Sequence, residues 1–494
     1  MTGRWRDRGI LGFILLTYAV LAVTYDVLQP IWEAPDEPDH FEFARYVQLN
    51  HALPQGDATW PAQIDAWNPV SEYNQAPLYY VVVAGALTTL RIQPTGLFHQ
   101  NPYVSWPNHP WKEAVALHRA DEGWPYAGLS LAVHLERLVS ASFGVVTLLA
   151  TYRLVGLFAR RRLTALFATA WLAWTPSFLL VSSRIDNDAP ATAFSALTLL
   201  GCAYLLAGSR PALLMHLSLL AGCLGCALLS KLNDSYLIPL VGVTAFISAQ
   251  PQSSLWTSLP RRGGAALLAL GPPVVLIGAW WLGYGRTFQG RVGTSAGLGI
   301  IWPADALGQF ELSRLLEALW GWNGTWWGGL GFGGFRLWPP LVYAALAIPL
   351  VVLAGAGIFA LRDRSWWVGR PPLSRRSVIL VALSTLPLFY ATIARSAFPS
   401  IGLDANARLT MPAGPVVALL VAVGAEYLSL APLRRYLGAA YAAAMLGLAA
   451  LTAALLLPQI PAPAIPARLA DSRLASPVAS FANGIDLLLS LIHI

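Results

Sequence analysis

The sequence predicts an all-α polytopic membrane protein, a bundle of about 11 transmembrane helices with a large first external loop that carries juxtamembrane helices. Three observations predict it. Of 494 residues, 56% are hydrophobic and only 12% charged, where a soluble domain carries about 25% charged residues, and the mean hydropathy is +0.54. Apolar runs of 15 to 25 residues recur from one end of the chain to the other, the length that crosses a bilayer. Basic and acidic residues also segregate into alternate loops. Soluble enzymes, disordered scaffolds and nucleic-acid binders are thereby excluded, despite a pI near 9.4.

Windows of about 19 residues put spans at 10–29, 129–158, 163–183, 190–207, 212–230, 235–249, 263–284, 338–361, 377–397, 411–430 and 436–457. The first run follows Arg4, Arg6 and Arg8 as a signal peptide would, but Pro30-Ile31-Trp32-Glu33 offers no small-residue cleavage site, so it is read as a retained helix. With 11 alternating spans, the arginines at 4–8, 160–162, 210, 261–262, 362–376 and 434–435 share one side. The positive-inside bias makes that side cytoplasmic. Of 25 acidic residues, 20 fall on the opposite face, Asp7 and Asp363 inside, and Asp26, Glu136 and Glu426 within spans. Chemistry is therefore to be sought on the outer face. The 30 arginines against two lysines, with abundant Ala, Gly and Pro, suggest a GC-rich bacterial gene and hence a bacterial cytoplasmic (inner) membrane.

Leu78–Leu90 is apolar but too short to cross, and suits a helix lying at the interface. Residues 30–128 then form external loop 1, with two or three surface helices. A second external loop, 285–337, is rich in Trp and Gly; Trp320, Trp322, Trp326, Trp327 and the adjoining Trp338 fit an interfacial aromatic belt or a stacking surface for a sugar or lipid. Residues 1–457 form one transmembrane domain, and the Pro/Ala-rich 458–488 are expected outside as irregular chain. The last six residues, 489–494, resemble a translated sequencing adapter, which implies a truncated end. Cys202, Cys223 and Cys226 all lie within apolar runs, so no disulfide framework or loop metal site is expected from them.

Five carboxylates crowd the ten residues from Glu33 to Glu42, directly after the first span. Asp36 as an N-cap and Pro38 in the first turn would account for a helix start. That leaves unexplained why so much negative charge, with His40 and Arg45, sits at a lipid headgroup boundary. A carboxylate there could accept a proton from an attacking hydroxyl, with Asp36 the first choice and Glu37 the second.

Pro35-Asp36-Glu37-Pro38, with His40 and Arg45, resembles the first-loop acidic motif of the GT-C class of membrane glycosyltransferases, which includes protein O-mannosyltransferases and lipid A aminoarabinose transferases. Asn74-Gln75-Ala76-Pro77-Leu78-Tyr79-Tyr80 is similar to their Lys-Pro-Pro-Leu-Tyr-Tyr-like stretch, with Gln75 and Ala76 departing from it. Arg184-Ile185-Asp186-Asn187-Asp188 resembles their second external acidic turn, although Asp188 and Pro190 would equally start a helix. Ser230-Lys231 resembles their Thr-Lys, although a snorkelling lysine would look the same. Asn406-Ala407-Arg408-Leu409-Thr410-Met411-Pro412 resembles their Gly-Arg-Tyr-x-x-Pro. The likeness runs from about residue 10 to residue 430 by order and spacing of short motifs.

The resemblance implies a GT-C-like glycosyltransferase, hexosyl or pentosyl, that takes a sugar from a polyprenyl-phosphate donor to a glycan, lipid or protein acceptor at the outer membrane face, inverting the anomeric centre. Asp36 or Glu37 would act as base; Lys231, Arg408 and Arg184 would bind the donor phosphate, with Asp186, Asp188, His40, Arg45, Tyr79 and Tyr80 completing the donor site. No tightly bound cofactor is predicted. A divalent metal bridging Asp36, Asp39, His40, Asp186 or Asp188 is left open by their hard donors. A transporter or flippase for lipid-linked sugars, or a non-catalytic subunit that binds them, are the alternatives.

Overall fold

Helix α1 (Thr2–Leu28) opens the chain and stops at Pro30, since the residue before a proline is pushed out of the helical region. The computed structural model describes residues 2–55, 72–95, 98, 101, 116–208, 213–249, 255–288, 310–330, 335–336, 340–367, 375–393, 405–428, 434–456 and 458. The Pro/Ala-rich tail after residue 458, residues 489–494 and Trp338 lie outside them.

The remaining helices are α2 (Glu37–Asn50), α3 (Leu78–Thr89), α4 (Gly128–Phe158), α5 (Arg162–Ala173), α6 (Pro176–Ser182), α7 (Asp188–Leu206), α8 (Leu213–Ser230), α9 (Leu237–Ser248), α10 (Leu255–Gly283), α11 (Leu312–Trp326), α12 (Pro340–Arg362), α13 (Arg375–Leu383), α14 (Leu386–Thr392), α15 (Gly414–Leu428) and α16 (Arg434–Leu451). The protein is an all-helical, multi-pass membrane protein. Its one departure among the described residues is a two-residue antiparallel pair, Gly329–Leu330 with Phe335–Arg336, in the second external loop.

Among the described residues, eight helices are long and apolar enough to cross a membrane, nine if α5 and α6 are one bent span. The described part of each of the 11 sequence-predicted spans is largely helical, but not every one is a continuous crossing. The span expected at 163–183 bends by 65° between α5 and α6, where Pro176 removes a backbone donor and biases Thr175 toward extended backbone. The span expected at 377–397 divides into α13 and α14 ahead of Pro387, and the segment expected at 235–249 is a short apolar helix, Leu232–Ser248.

The bundle core packs α4 and α8 against α7, α10 against α8 and α9, and α15 against α5 and α12. Gly357 and Gly424 bring α12 and α15 into backbone contact; a Cβ on either would overlap a carbonyl oxygen of the facing helix. A second apolar core lies outside the bundle, built by Trp32, Phe41, Phe43, Tyr73, Tyr79 and Tyr80 against the start of α4. Helices α2 and α3, both within the 30–128 segment, pack on each other there.

Buried ion pairs tie this outer layer to the bundle. Arg137 on α4 is fully buried and forks onto Glu37 through Nε (2.8 Å) and Nη2 (2.7 Å). It also donates to the carbonyls of Asp26, Gln29 and Pro30 at 2.8, 2.9 and 3.1 Å. Glu33 accepts from the Ala116 N–H at 3.0 Å and faces His118 at 3.4 Å, which closes the loop on itself. At the far end of α15, Glu426 Oε2 accepts from Thr164 Oγ1 (2.8 Å) and the Arg160 N–H (3.2 Å).

Candidate active site

Two acidic turns converge between α1–α2 and α6–α7, with the ends of α8 and the turn before α15 closing over them. Asp36 occupies the N-cap position of α2 with φ 62° and no capping hydrogen bond. Left-handed backbone at a non-glycine residue is strained, and Asp is among the side chains that tolerate it. The strained turn frees the carboxylate from the helix end: Asp36 Oδ2 accepts from Arg408 Nη2 at 2.6 Å.

An alternating chain of charge runs from there. Arg408 Nη1 lies 3.5 Å from Asp186 Oδ2, and Arg184 Nη2 lies 3.0 Å from the same oxygen. Arg184 also faces Asp188 at 3.8 Å, and Lys231 Nζ donates to Asp188 Oδ1 at 2.6 Å. The Asp188 N–H donates to Asp186 Oδ1 at 2.8 Å, which locks the turn that carries both. Three cations and three carboxylates thus interleave at the head of the bundle, each cation beside a carboxylate it could exchange for a phosphate.

His40, one turn into α2, borders this chain. Its Nδ1 pairs with the Tyr80 hydroxyl at 2.7 Å, and its Nε2 lies 3.8 Å from Asp186. Glu72 approaches its Nδ1 at 3.9 Å. Asp36, His40 and Glu72 each bring a ligand atom to within 4.8 Å of the others, a donor set of two oxygens and one nitrogen able to hold a divalent cation.

Burial works against ionisation throughout, and charge decides the outcome. Desolvation raises the Asp36 carboxyl, but Arg408 and His40 outweigh it and hold the group below its ordinary range. The same contest, won by Arg184 and Lys231, holds Asp186 far lower. Burial lowers the Lys231 ammonium, and Asp188 and Asp186 more than restore it. Glu72 goes the other way: burial pushes it up to about 7 against the pull of His40.

Of the residues singled out in the sequence, Asp36, His40, Tyr80, Arg184, Asp186, Asp188, Lys231 and Arg408 come together. Glu37 is adjacent but engaged: Arg137, the Trp32 N–H (2.9 Å) and the Ile185 N–H (3.1 Å) occupy its two oxygens, so it fastens the first acidic turn to the second. Tyr79 meets Ser140 Oγ at 2.9 Å, and Arg45 pairs with Glu42 at 3.1 Å. Gln75 accepts from Asn187 at 3.4 Å.

Several residues escaped sequence reasoning. Arg137 carried a signal, since an arginine inside a crossing helix is costly and demands a partner. Glu72 carried none, and helix α11 carried only the spacing of Leu312, Leu316 and Leu319 at four and three residues. In that loop Trp326 and Trp327 are buried against Trp171 with ring centroids 6.0 and 6.4 Å apart, so these two rings are core, not belt.

The sequence model of a family described as dolichyl-phosphate-mannose-protein mannosyltransferase matches residues 131–288, from α4 to the turn after α10. The likeness to the GT-C class is thereby carried by the family match as well as by the order of motifs. No curated protein sequence matches the chain. Among solved structures, the oligosaccharyltransferase AglB from Archaeoglobus fulgidus, in complex with an inhibitory peptide and a dolichol-phosphate, is 14% identical over 93% of this chain, with a TM-score of 0.49. ArnT from Cupriavidus metallidurans bound to undecaprenyl phosphate is 13% identical over 92% of this chain and 74% of its own, with a TM-score of 0.48. The S. cerevisiae Pmt1–Pmt2 O-mannosyltransferase complex bound to its sugar donor is 19% identical over 57% of this chain and 34% of its own, with a TM-score of 0.38. The chain spans 57% of the length of the AglB chain.

Proposed function

We propose that this protein is a membrane glycosyltransferase that moves a sugar from a polyprenyl phosphate to a hydroxyl acceptor at the outer face of a bacterial cytoplasmic membrane. The observation that carries it is the Asp36–Arg408 pair at 2.6 Å, which puts an ionised carboxylate beside a forked cation at the head of a membrane bundle. The match of residues 131–288 to a lipid-linked mannosyltransferase family supports the same chemistry.

In the proposed reaction the acceptor oxygen attacks the anomeric carbon as Asp36 takes its proton. The carbon–oxygen bond to the phosphate breaks, and polyprenyl phosphate leaves with the electron pair. Arg408, Arg184 and Lys231 meet the charge that develops on the departing phosphate, the kind of interaction that is usually the largest electrostatic contribution to catalysis. The carboxylates that hold these cations ready keep them oriented without a substrate. Arg408 is the natural clamp, because its planar fork can bind two phosphate oxygens at once. Glu37, held on four donors, serves as anchor and leaves Asp36 as the base. A single displacement inverts the anomeric centre.

The test is release of polyprenyl phosphate by membranes bearing the protein, from a panel of polyprenyl-phosphate sugars with cell-envelope extract as acceptor. Release from one donor, with an inverted anomeric carbon in the product by NMR, is the expected result. Retained configuration would overturn the single displacement. No release from any donor would turn the assignment toward transport or lipid binding.

A further inference from the structure

We infer that Thr325 and Trp322, on helix α11 of the second external loop, are positioning residues that set where Arg408 stands. This inference rests on Arg408 as the phosphate-binding cation proposed above.

Arg408 belongs to a 3-10 turn, Ala407–Ala413, that leads into α15. The first N–H groups of such a turn have no partner within it and must find one elsewhere. Asn406 Oδ1 serves the Arg408 N–H from within the same segment, at 3.1 Å. The Ala407 N–H is served from another helix altogether, by Thr325 Oγ1 at 2.9 Å. That hydroxyl is aimed by its own helix, since it donates back to the carbonyls of Gly321 and Trp322 at 3.1 and 3.0 Å.

The carbonyl of the same residue is held as well. Thr410 Oγ1 donates to the Ala407 carbonyl at 2.9 Å, and Trp322 Nε1 donates to that Thr410 oxygen at 2.9 Å. Both polar groups of the residue before Arg408 therefore lead to α11 within two hydrogen bonds. Thr325 is buried, and so are Thr410 and Ala407, which makes these bonds hard to replace by water.

α11 is in turn fixed by aromatic packing. The Trp322 ring lies 5.0 Å from Trp326, and Trp326 lies 6.0 Å from Trp171 in the bundle. Asn323 donates to the Tyr343 carbonyl at 3.1 Å on α12. Leu312, Leu316 and Leu319, on a common face at intervals of four and three residues, are exposed. The helix thus presents apolar side chains outward and hydrogen-bonding side chains to the Arg408 turn. Trp326 and Trp327 pack α11 on the bundle; the direct bond from the Ala407 N–H and the relay through Thr410 to its carbonyl are what a mere strut would lack.

The experiment measures polyprenyl phosphate release by the full-length protein with Thr325→Val, Thr325→Ser and Trp322→Phe, each in the wild-type and the Arg408→Lys background. Thr325→Val keeps the shape and removes the acceptor; its kcat/KM is expected to fall about tenfold or more, with Thr325→Ser within about threefold of wild type. Trp322→Phe keeps the ring, removes the donor and is expected to fall in the same direction. In the Arg408→Lys background each substitution should change the rate by less than about threefold, because residues acting through one group do not add. Equal losses in both backgrounds, or no loss in the wild-type background, would overturn the inference. Should Thr325→Val fail to fold, Trp322→Phe gives the same comparison. A wild type that releases polyprenyl phosphate while the losses add overturns this inference alone; a wild type that releases none overturns the role of Arg408 and this inference with it.

Discussion

Arg137 offers the sharpest perturbation of the architecture that presents Asp36. Its guanidinium is fully buried and holds six bonds at once: two to Glu37, three to the carbonyls that close α1 and one, at 3.5 Å, to the Asp26 carboxylate. Arg137→Met keeps the aliphatic stem and removes all of them. Glu37, itself completely buried, would then keep only the Trp32 and Ile185 N–H groups. Removing one partner of a buried pair leaves an uncompensated charge and costs about 3–5 kcal/mol, a large share of a net stability that is typically about 5–15 kcal/mol. The loss should be read as a lowered midpoint of unfolding, followed by tryptophan fluorescence in detergent micelles. The double variant Glu37→Gln/Arg137→Met removes both charges together and should recover at least about 1 kcal/mol of the loss. A single variant as stable as wild type, or a double variant less stable than Arg137→Met by the full cost of Glu37→Gln, would refute the claim that this pair staples external loop 1 to the bundle.

Two further outcomes follow from particular side chains. Glu42 on α2 is pushed up to about 7 by burial, against the pull of Arg45; the folded chain therefore keeps a proton that the unfolded chain loses near pH 4.5, and stability should fall as pH rises from there toward 7. Glu42→Gln should flatten that part of an unfolding-midpoint profile, and an unchanged slope would contradict it. Gly424 lies against α12 where any Cβ would overlap the Leu353 carbonyl oxygen, so Gly424→Ala should cost about 1–3 kcal/mol by forcing the helices apart. A Gly424→Ala midpoint equal to wild type would show that α12 and α15 do not pack as closely as described.

The architecture was legible because the bilayer imposes a single pattern, long apolar helix, on every crossing segment. Where that pattern weakened, so did the boundaries: Pro176 turns one expected span into the α5–α6 bend, and the second loop hides helix α11, which is apolar on one face only and so does not read as a span. In the candidate site, clustered charge was the signal. Asp36, Asp186, Asp188, Lys231 and Arg408 are conspicuous in a chain with so few charged residues, and the fold brings them together from four separate segments. Pairings were not legible. Nothing in the sequence says that Arg137 takes Glu37 while Arg408 takes Asp36, because that choice depends on a left-handed turn at Asp36 and on distances across helices far apart in the chain. Glu72 and Thr325 were missed for a related reason: their partners His40 and Ala407 lie 32 and 82 residues away, and each residue type is ordinary where it stands; Trp322 stood out as an aromatic, but its bond to Thr410, 88 residues away, did not.

The most direct test of the central claim is the rate of polyprenyl phosphate release by Asp36→Asn beside wild type, in proteoliposomes supplied with the donor identified from the panel. Asparagine keeps the size and a hydrogen bond to Arg408 while removing the proton acceptor. A loss of about 100-fold or more is expected, the ordinary contribution of general-base catalysis, with the unfolding midpoint within a few degrees of wild type. Release at the wild-type rate would contradict the assignment of Asp36 as the base and, with it, the proposed mechanism.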